Sequence, residues 1–175
     1  IDAHTHLDLP FMGTSSSDDF ETGTLAALHG GTTSIIDFAF QSKKKSLKEG
    51  LAAWHEKAKG KAVGDYAFHM AVTDFNSETA KEIKELIQKE GVTSFKTFMA
   101  YKGAIMIDDQ QMIALMNECK KWGGLVTVHA ENGDLLDSLI QSSREVGNLA
   151  PRFHALTRPE IVESDRKSTR LNSSH

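Results

Sequence analysis

Apolar residues recur along this chain with two different spacings that alternate from segment to segment. Short apolar runs rich in β-branched and aromatic residues are typical of buried strands, whereas apolar residues three and four positions apart are typical of amphipathic helices. The first pattern predicts five strands, at residues 1–4, 32–40, 66–72, 93–100 and 125–130. The second predicts helices at residues 18–31, 46–59, 77–91, 108–124 and about 134–146.

Three of these helices begin with the spacing of a capping box, in which Ser or Asp is followed three residues later by Glu or Gln. The side chains of such a pair each satisfy a free backbone N–H group of the first turn, so the pattern predicts where a helix starts. The pairs are Asp18 with Glu21, Ser46 with Glu49, and Asp108 with Gln111.

Five strands that alternate with helices predict an α/β fold with a parallel sheet and right-handed crossovers. An open doubly wound sheet and an eight-stranded barrel both fit this order. The doubly wound fold normally has a glycine-rich turn after its first strand, which this sequence lacks. A complete barrel needs about 250 residues, and the chain has 175. We therefore predict a partial TIM-type (β/α)8 barrel with about the first five βα units.

Charge and composition argue against several classes of partner. The formal net charge is −4 and charges of both signs are interspersed, so we expect binding neither to nucleic acid nor to an anionic membrane. No apolar segment approaches the roughly 20 residues of a membrane span, and no secretory signal is visible. The single cysteine, Cys119, falls on the apolar side of a predicted helix. It is therefore expected to be a core residue in a reducing compartment, with a cytoplasmic location, and a catalytic thiol is the alternative.

Polar residues that could take part in catalysis or metal binding lie within or at the ends of three predicted strands. His4 and His6 are one residue apart, and on a strand such residues project from the same face; the alternative is two surface histidines in a loop. Lys96 lies within the apolar segment SFKTFMAYK, where burial disfavours its charged form. It either extends to the barrel mouth or reacts with carbon dioxide to form a carbamate that can bridge two metal ions. His129 ends the fifth strand and is alternatively a core histidine.

Four long motifs carry a resemblance to a known family. The segments DAHTHLDLPFMGT, DDFETGTLAALHGGTTSIIDF, GVTSFKTFMAYKG and VHAENGD closely resemble the dihydropyrimidinases and D-hydantoinases of the amidohydrolase superfamily. The similarity extends over residues 1–163. That superfamily has a His-x-His motif after the first barrel strand, a carbamylated lysine on the fourth and a histidine on the fifth.

The resemblance implies a site with two divalent metal ions, usually zinc. His4 and His6 would bind one ion, His129 the other, and carboxylated Lys96 would bridge them. Tyr101 would hydrogen-bond the substrate and stabilise the oxyanion of the tetrahedral intermediate; its alternative role is packing on the barrel rim. Apolar residues that could contact a ring substituent are Leu7, Phe11, Phe98 and Met99.

The implied activity is hydrolysis of the cyclic amide bond of a dihydropyrimidine or hydantoin to an N-carbamoyl amino acid, with the metal ions supplying hydroxide near neutral pH. The substrate would be a small cyclic amide or ureide, the reaction would belong to pyrimidine degradation, and homotetramers are common in the family. An allantoinase- or dihydroorotase-like amidohydrolase is the alternative among enzymes. A non-catalytic dihydropyrimidinase-like protein is the alternative outside them.

The family pattern also includes a histidine after the sixth strand and an aspartate after the eighth, and both fall outside the five predicted strands. We therefore expect the chain to be an internal segment of a longer enzyme. Residues 1–163 are predicted to form the barrel segment. Residues 164–175, with the sequence SDRKSTRLNSSH, lack an apolar period and are predicted to be a non-native or disordered tail.

Overall fold

The computed structural model describes the backbone of residues 1–171 and the side chains of residues 1–167. The strands are β1 (Asp2–Thr5), β2 (Pro10–Phe11), β3 (Thr14–Ser15), β4 (Ser34–Phe40), β5 (Asp65–Ala71), β6 (Ser94–Phe98) and β7 (Leu125–His129). The α-helices are α1 (Phe20–His29), α2 (Leu47–Ala58), α3 (Ser77–Gln88), α4 (Asp109–Trp122), α5 (Gly133–Glu145) and α6 (Glu160–Leu171). Two 3₁₀-helices, Pro151–Phe153 and Ala155–Thr157, connect α5 to α6.

Five of the strands form one parallel sheet in the order β1-β4-β5-β6-β7, which is also their order in the chain. A doubly wound sheet would reverse its strand order at a switch point, whereas a barrel adds each strand beside the preceding one. The sheet is therefore the curled half of a (β/α)8 barrel, and the five predicted strands are confirmed. All carboxyl ends of its strands lie at the same rim.

The antiparallel hairpin of β2 and β3 was not expected from the sequence. It follows β1 and pairs Pro10 with Ser15 and Phe11 with Thr14. Strands of two residues are too short to show an alternating pattern, so no periodicity could reveal them. The hairpin places Phe11 near the rim of the sheet.

The main hydrophobic core lies between the outer face of the sheet and helices α1 to α4. Its members include Phe20, Met70, Phe95 and Leu115, which are fully buried. Cys119 on α4 also belongs to this core, as its place in the apolar pattern predicts. Burial raises the pKa of the Cys119 thiol to about 12, which is not expected of a reactive thiol.

Helix α1 starts one residue later than its sequence pattern predicts. Asp19, not Asp18, is the N-cap, and its carboxylate accepts hydrogen bonds from the backbone N–H groups of Glu21 and Thr22. The Thr22 hydroxyl completes the box by accepting from the N–H of Asp19. Because Phe20 directly follows the cap and is fully buried, packing of this ring selects between two adjacent aspartates that could both cap the helix.

The other two predicted helix starts are at the expected residues. Ser46 caps α2 through its hydroxyl, and Asp108 and Gln111 form the reciprocal capping box of α4. The start of α2 is held further by Glu82 of α3, whose carboxylate accepts from the Ser46 hydroxyl and the Leu47 N–H at 2.6 and 2.7 Å. Long-range contacts of this kind cannot be derived from the spacing of the box.

Helix α6 crosses the predicted boundary at residue 164. Val162 is buried against α5, and Lys167 forms an i,i+4 ion pair with Glu163 at 2.7 Å, which supports the helix locally. The segment up to Leu171 is thus helical, where the sequence predicts irregular structure. The end of the predicted tail, 172–175, lies outside the described residues, and its non-native origin stays a prediction. None of the helices in the described part of the chain combines the length and apolar composition that a membrane crossing requires.

Candidate active site

The two histidines of the His-x-His motif converge at the carboxyl end of β1. Their ring centroids are 5.1 Å apart in an edge-to-face arrangement, and both rings contact Phe38 of β4, with centroids at 4.6 and 4.9 Å. The strand ends at Thr5, and its register with β4 shifts between Asp2 and Thr5. His4 and His6 therefore converge at a bulged strand end, and not on the regular strand that simple alternation predicts.

A carboxylate on β4 holds the loop that carries these histidines. Asp37 is fully buried and accepts hydrogen bonds from the Thr5 hydroxyl and the Leu7 N–H, each at 2.8 Å. Burial raises the pKa of Asp37, while the bonds from Leu7 and Thr5 oppose this shift. Asp37 was not predicted from the sequence, although it carries the same signal as Lys96, a charged residue inside an apolar strand.

Lys96 points into the barrel from β6, at the level of Ala71 on β5 and Thr127 on β7. Its Nζ atom lies 5.5 Å from the centre of the Phe98 ring. Among the residues that the structure describes, no carboxylate forms an ion pair with it. Burial lowers the pKa of Lys96, so the neutral, nucleophilic amine is more accessible than in an exposed lysine.

The same environment favours neutral imidazoles. Burial is the largest cause that lowers the pKa of His4, followed by the nearby positive charge of Lys96 and by His69. The pKa of His6 is lowered by burial first, and then by His4 and Lys96. A neutral imidazole keeps a free lone pair, which is the form that binds a metal ion.

His129 lies at the end of β7 within a second polar group. Its Nε2 atom is 2.5 Å from the carboxylate of Glu131, which also pairs with Arg158 at 3.6 Å. This contact leaves Nδ1 as the nitrogen that could bind a metal ion. A ligating histidine commonly donates its second N–H to a carboxylate in this way. Glu131 and Arg158 were not predicted from the sequence. The available signal for Glu131 was its position two residues after His129, which places both side chains on the same face of a strand.

Tyr101 covers His129 from the loop that follows β6. Their ring centroids are 5.5 Å apart, and Tyr101 also contacts Phe11 and Phe98 at 5.6 and 6.1 Å. Its φ angle of 65° lies in the left-handed region, which is unusual for a bulky residue and indicates local strain. Burial, and then the charge of Glu131, raises the pKa of Tyr101, so its phenol remains a hydrogen-bond donor at neutral pH.

The structure thus arranges the predicted residues in two groups. His4, His6 and Lys96 form one, and His129 with Tyr101 forms the other. The Phe98 ring lies between them, since it contacts both Lys96 and His129. In the described part of the chain, no three His, Cys, Asp or Glu side chains lie together closely enough to hold a metal ion.

The donor atoms nevertheless fit metal ions of the zinc type. Two imidazoles with lowered pKa converge beside a lysine that has no counter-ion among residues 1–167, and a third imidazole has one nitrogen hydrogen-bonded to a carboxylate. Imidazole nitrogen and carboxylate-like oxygen are ordinary ligands of such ions. A carbamate on Lys96 would add the oxygens that the two histidines lack.

His69 on β5 faces the same interior, where its ring contacts Phe38. Its Nδ1 atom is hydrogen-bonded to the Ser94 hydroxyl, and its Nε2 atom lies 2.9 Å from the carbonyl oxygen of Ala3. Both ring nitrogens are therefore used in joining β5 to β6 and β1, which indicates a structural role.

Comparison with known proteins identifies the family of the chain. Residues 1–148 match the profile described as the amidohydrolase family. The chain belongs to the amidohydrolase family. Among curated relatives, this amidohydrolase chain is similar to the D-hydantoinase of Geobacillus stearothermophilus and to the dihydropyrimidinase of Rattus norvegicus. It is 48% identical to each over 165 residues. Each alignment covers 94% of the chain, and 35% and 32% of the relatives.

A solved relative has the same fold as this amidohydrolase segment. The dihydropyrimidinase from Brevibacillus agri NCHU1002 superposes with a TM-score of 0.93 and 50% sequence identity, covering 96% of this chain and 36% of that one. The predicted fold class and the resemblance to dihydropyrimidinases and D-hydantoinases are both confirmed. The chain spans about a third of the length of the relatives that it matches.

Proposed function

We propose that this chain is part of a metal-dependent cyclic amidohydrolase that opens dihydropyrimidine or hydantoin rings to N-carbamoyl amino acids. The observation that carries the proposal is the convergence of His4 and His6 beside Lys96 at the carboxyl ends of the strands. Active sites of barrel enzymes are built at this rim. The similarity to proteins named D-hydantoinase and dihydropyrimidinase supports the substrate class.

Two divalent ions, with zinc as the expected metal, fit the donor atoms of the site. His4 and His6 would hold one ion, His129 would hold the other, and Lys96 would bridge them as its carbamate. In forming the carbamate, the neutral amine nitrogen bonds to the carbon of CO2 and loses a proton, and the lowered pKa of Lys96 favours this step. When bound, such ions lower the pKa of a coordinated water toward neutrality and polarise a carbonyl group.

Tyr101 is placed to assist at the substrate carbonyl. Its phenol keeps its proton because burial raises its pKa, so it can donate a hydrogen bond to the oxygen that becomes negative as the carbonyl is attacked. The rings of Phe11 and Phe98 contact Tyr101 from two sides. They would form an apolar wall against which a substituent of the substrate ring could pack.

The substitution Lys96→Ala in the full-length enzyme tests the proposal. We expect the variant to lose most of its bound metal, because the bridging ligand is absent, and to regain part of it in a small carboxylic acid such as propionate. Elemental analysis of the purified protein measures both effects. The control is Lys102→Ala, which removes an exposed lysine that pairs with Asp134 and is expected to keep the metal content. Full metal occupancy in Lys96→Ala would overturn the bridging role.

The proposed enzyme also has an expected location, assembly and metabolic role. Buried, free Cys119 agrees with a reducing compartment, and we propose the cytoplasm. The resemblance to dihydropyrimidinases supports a homotetramer and a place in pyrimidine degradation. Hydrolysis rates for dihydrouracil, hydantoin, allantoin and dihydroorotate, measured side by side, would separate this substrate class from the allantoinase- and dihydroorotase-like alternatives.

A further inference from the structure

Strand β4 carries a buried charge without a counter-ion. Asp37 has no measurable exposure, and in the described part of the chain no lysine or arginine forms an ion pair with it. An unpaired carboxylate is costly to bury unless hydrogen bonds compensate for lost water. Three donors do so here: the N–H of Phe38 at 2.7 Å on one oxygen, and the Thr5 hydroxyl and Leu7 N–H on the other.

Two of these donors flank a proposed metal ligand in the chain. Thr5 lies between His4 and His6, and Leu7 directly follows His6. One oxygen atom of Asp37 therefore contacts the residues on both sides of His6, the Thr5 hydroxyl and the Leu7 backbone N–H, each at 2.8 Å. Because β1 ends at Thr5, the backbone of His6 and Leu7 lies beyond the strand, where sheet hydrogen bonds no longer fix its position.

The next residue of the same strand supports the rings of the pair. Side chains alternate between the two faces of a strand, so Asp37 faces the helices and Phe38 faces the barrel interior. The Phe38 ring contacts both His4 and His6. Two consecutive residues of β4 thus hold the backbone of the pair from one face and its rings from the other.

We propose that Asp37 is a positioning residue that fixes the His4–His6 pair in the orientation required for metal binding. The inference rests on the proposed metal-dependent function. Residues that orient metal ligands commonly change metal affinity about 10- to 100-fold when they are replaced. Asp37 would act through the Thr5 hydroxyl and the Leu7 N–H and not through the ring nitrogens, so it leaves both imidazoles free for the ion.

The substitution Asp37→Asn in the full-length enzyme tests this role. Asparagine has nearly the same size, but one acceptor oxygen becomes an NH₂ donor, which must face either the Phe38 N–H or the Leu7 N–H. We expect the affinity for Zn²⁺ at the histidine pair to fall about 10- to 100-fold, measured by competition with a chromophoric chelator. In the metal-free enzyme labelled with ¹⁵N-histidine, we expect the His6 imidazole signals to shift and broaden.

Two further variants separate positioning from general destabilisation. Ile83→Val trims a fully buried side chain of α3 and is expected to lower the unfolding temperature without changing zinc affinity or the His6 signals. Thr5→Val removes only the hydroxyl donor and is expected to weaken zinc binding about 2- to 10-fold; it also gives a result if Asp37→Asn does not fold.

The outcomes distinguish this inference from the proposed function. Unchanged zinc affinity and unchanged His6 signals in the substituted enzymes, with only the unfolding temperature lowered as in Ile83→Val, would show that Asp37 is merely structural. Failure of the unsubstituted enzyme to bind zinc would instead overturn the proposed function. In that case the histidine signals of the metal-free protein still decide whether Asp37 orders the pair.

Discussion

Asp37 and Lys96 are charged side chains within otherwise apolar strands, and they face opposite sides of the sheet. Asp37 faces the helices and is fully satisfied by hydrogen bonds. Lys96 faces the barrel interior, without an ion pair among the described residues, and is therefore available for reaction. The same sequence signal thus leads to two different proposals, a positioning role for Asp37 and a ligand role for Lys96.

Glu131 is expected to orient His129 for the second metal ion. In the full-length enzyme, Glu131→Ala should weaken binding of that ion about 10- to 100-fold, because the ring loses its contact at Nε2. Glu131→Gln keeps an acceptor oxygen and should have a smaller effect. Titration with Co²⁺, followed by visible absorption, resolves the two binding steps.

Asp134→Asn is the matched control for Glu131. It removes a nearby exposed carboxylate that pairs with Lys102, and it should leave both binding steps unchanged. Two cobalt ions bound with parental affinity by Glu131→Ala would show that the contact with His129 has no role in binding.

The sequence indicates the residues with reactive groups by type and position, whereas the contacts that would orient them are not visible in it. His4, His6, Lys96 and His129 are recognised by residue type and by their place at strand ends. The contacts of Glu131 with Arg158, and of Asp37 with Leu7, join segments that are distant in the chain. The apolar spacing within a helix or strand does not reveal such a contact, so the three-dimensional structure is required to find it.

At the scale of elements, the apolar pattern predicts the five sheet strands and the five helices from α1 to α5, with boundaries that differ by at most three residues. Errors occur where tertiary packing decides between local alternatives. Packing of Phe20 moves the cap of α1 to Asp19. Helix α6, in which Val162 is buried, continues beyond residue 164 into the segment that the sequence predicts to be irregular. The hairpin of β2 and β3 is missed because its strands are too short for any period.

The capping box of α4 is expected to stabilise the start of that helix. Asp108→Ala removes the acceptor of the Gln111 N–H, which lies 2.7 Å away, and should lower the free energy of opening of the first turn by about 1 kcal/mol. Hydrogen exchange of the α4 amides in the full-length protein measures this change.

A neighbouring aspartate provides the control for the α4 box. Asp109→Ala removes a charge from the same turn, where Asp109 pairs with Arg166 at 3.5 Å near the surface. Exposed pairs contribute about 0–1 kcal/mol, so its effect should be the smaller of the two. Equal effects of the two substitutions would show that charge near the helix start, and not the cap, stabilises the turn.

At the scale of the whole molecule, the outer core is well packed while the barrel interior is open at two strand edges. Within the described residues, β1 and β7 each have a neighbouring strand on one side only. Leu125, at the start of β7, is 63% exposed, and Leu149 and Leu156 are 76% and 72% exposed. Unpaired edges and exposed apolar side chains favour association with other chains.

The isolated polypeptide of 175 residues is therefore expected to self-associate and to lack hydrolytic activity. Size-exclusion chromatography with light scattering measures its mass, and an assay with dihydrouracil measures turnover. The same segment within the full-length enzyme is the control, because further βα units would pair with β7 there. A homogeneous monomer that hydrolyses dihydrouracil would contradict this expectation.

The agreement between strand order and chain order has a consequence for synthesis on the ribosome. Each βα unit packs beside the unit translated just before it, so each new strand can pair without waiting for later parts of the chain. N-terminal parts of a chain generally fold first during translation. A nascent chain would thus display His4, His6 and Lys96 before the later parts of the enzyme emerge, and metal or carbon dioxide could be captured while translation is still under way.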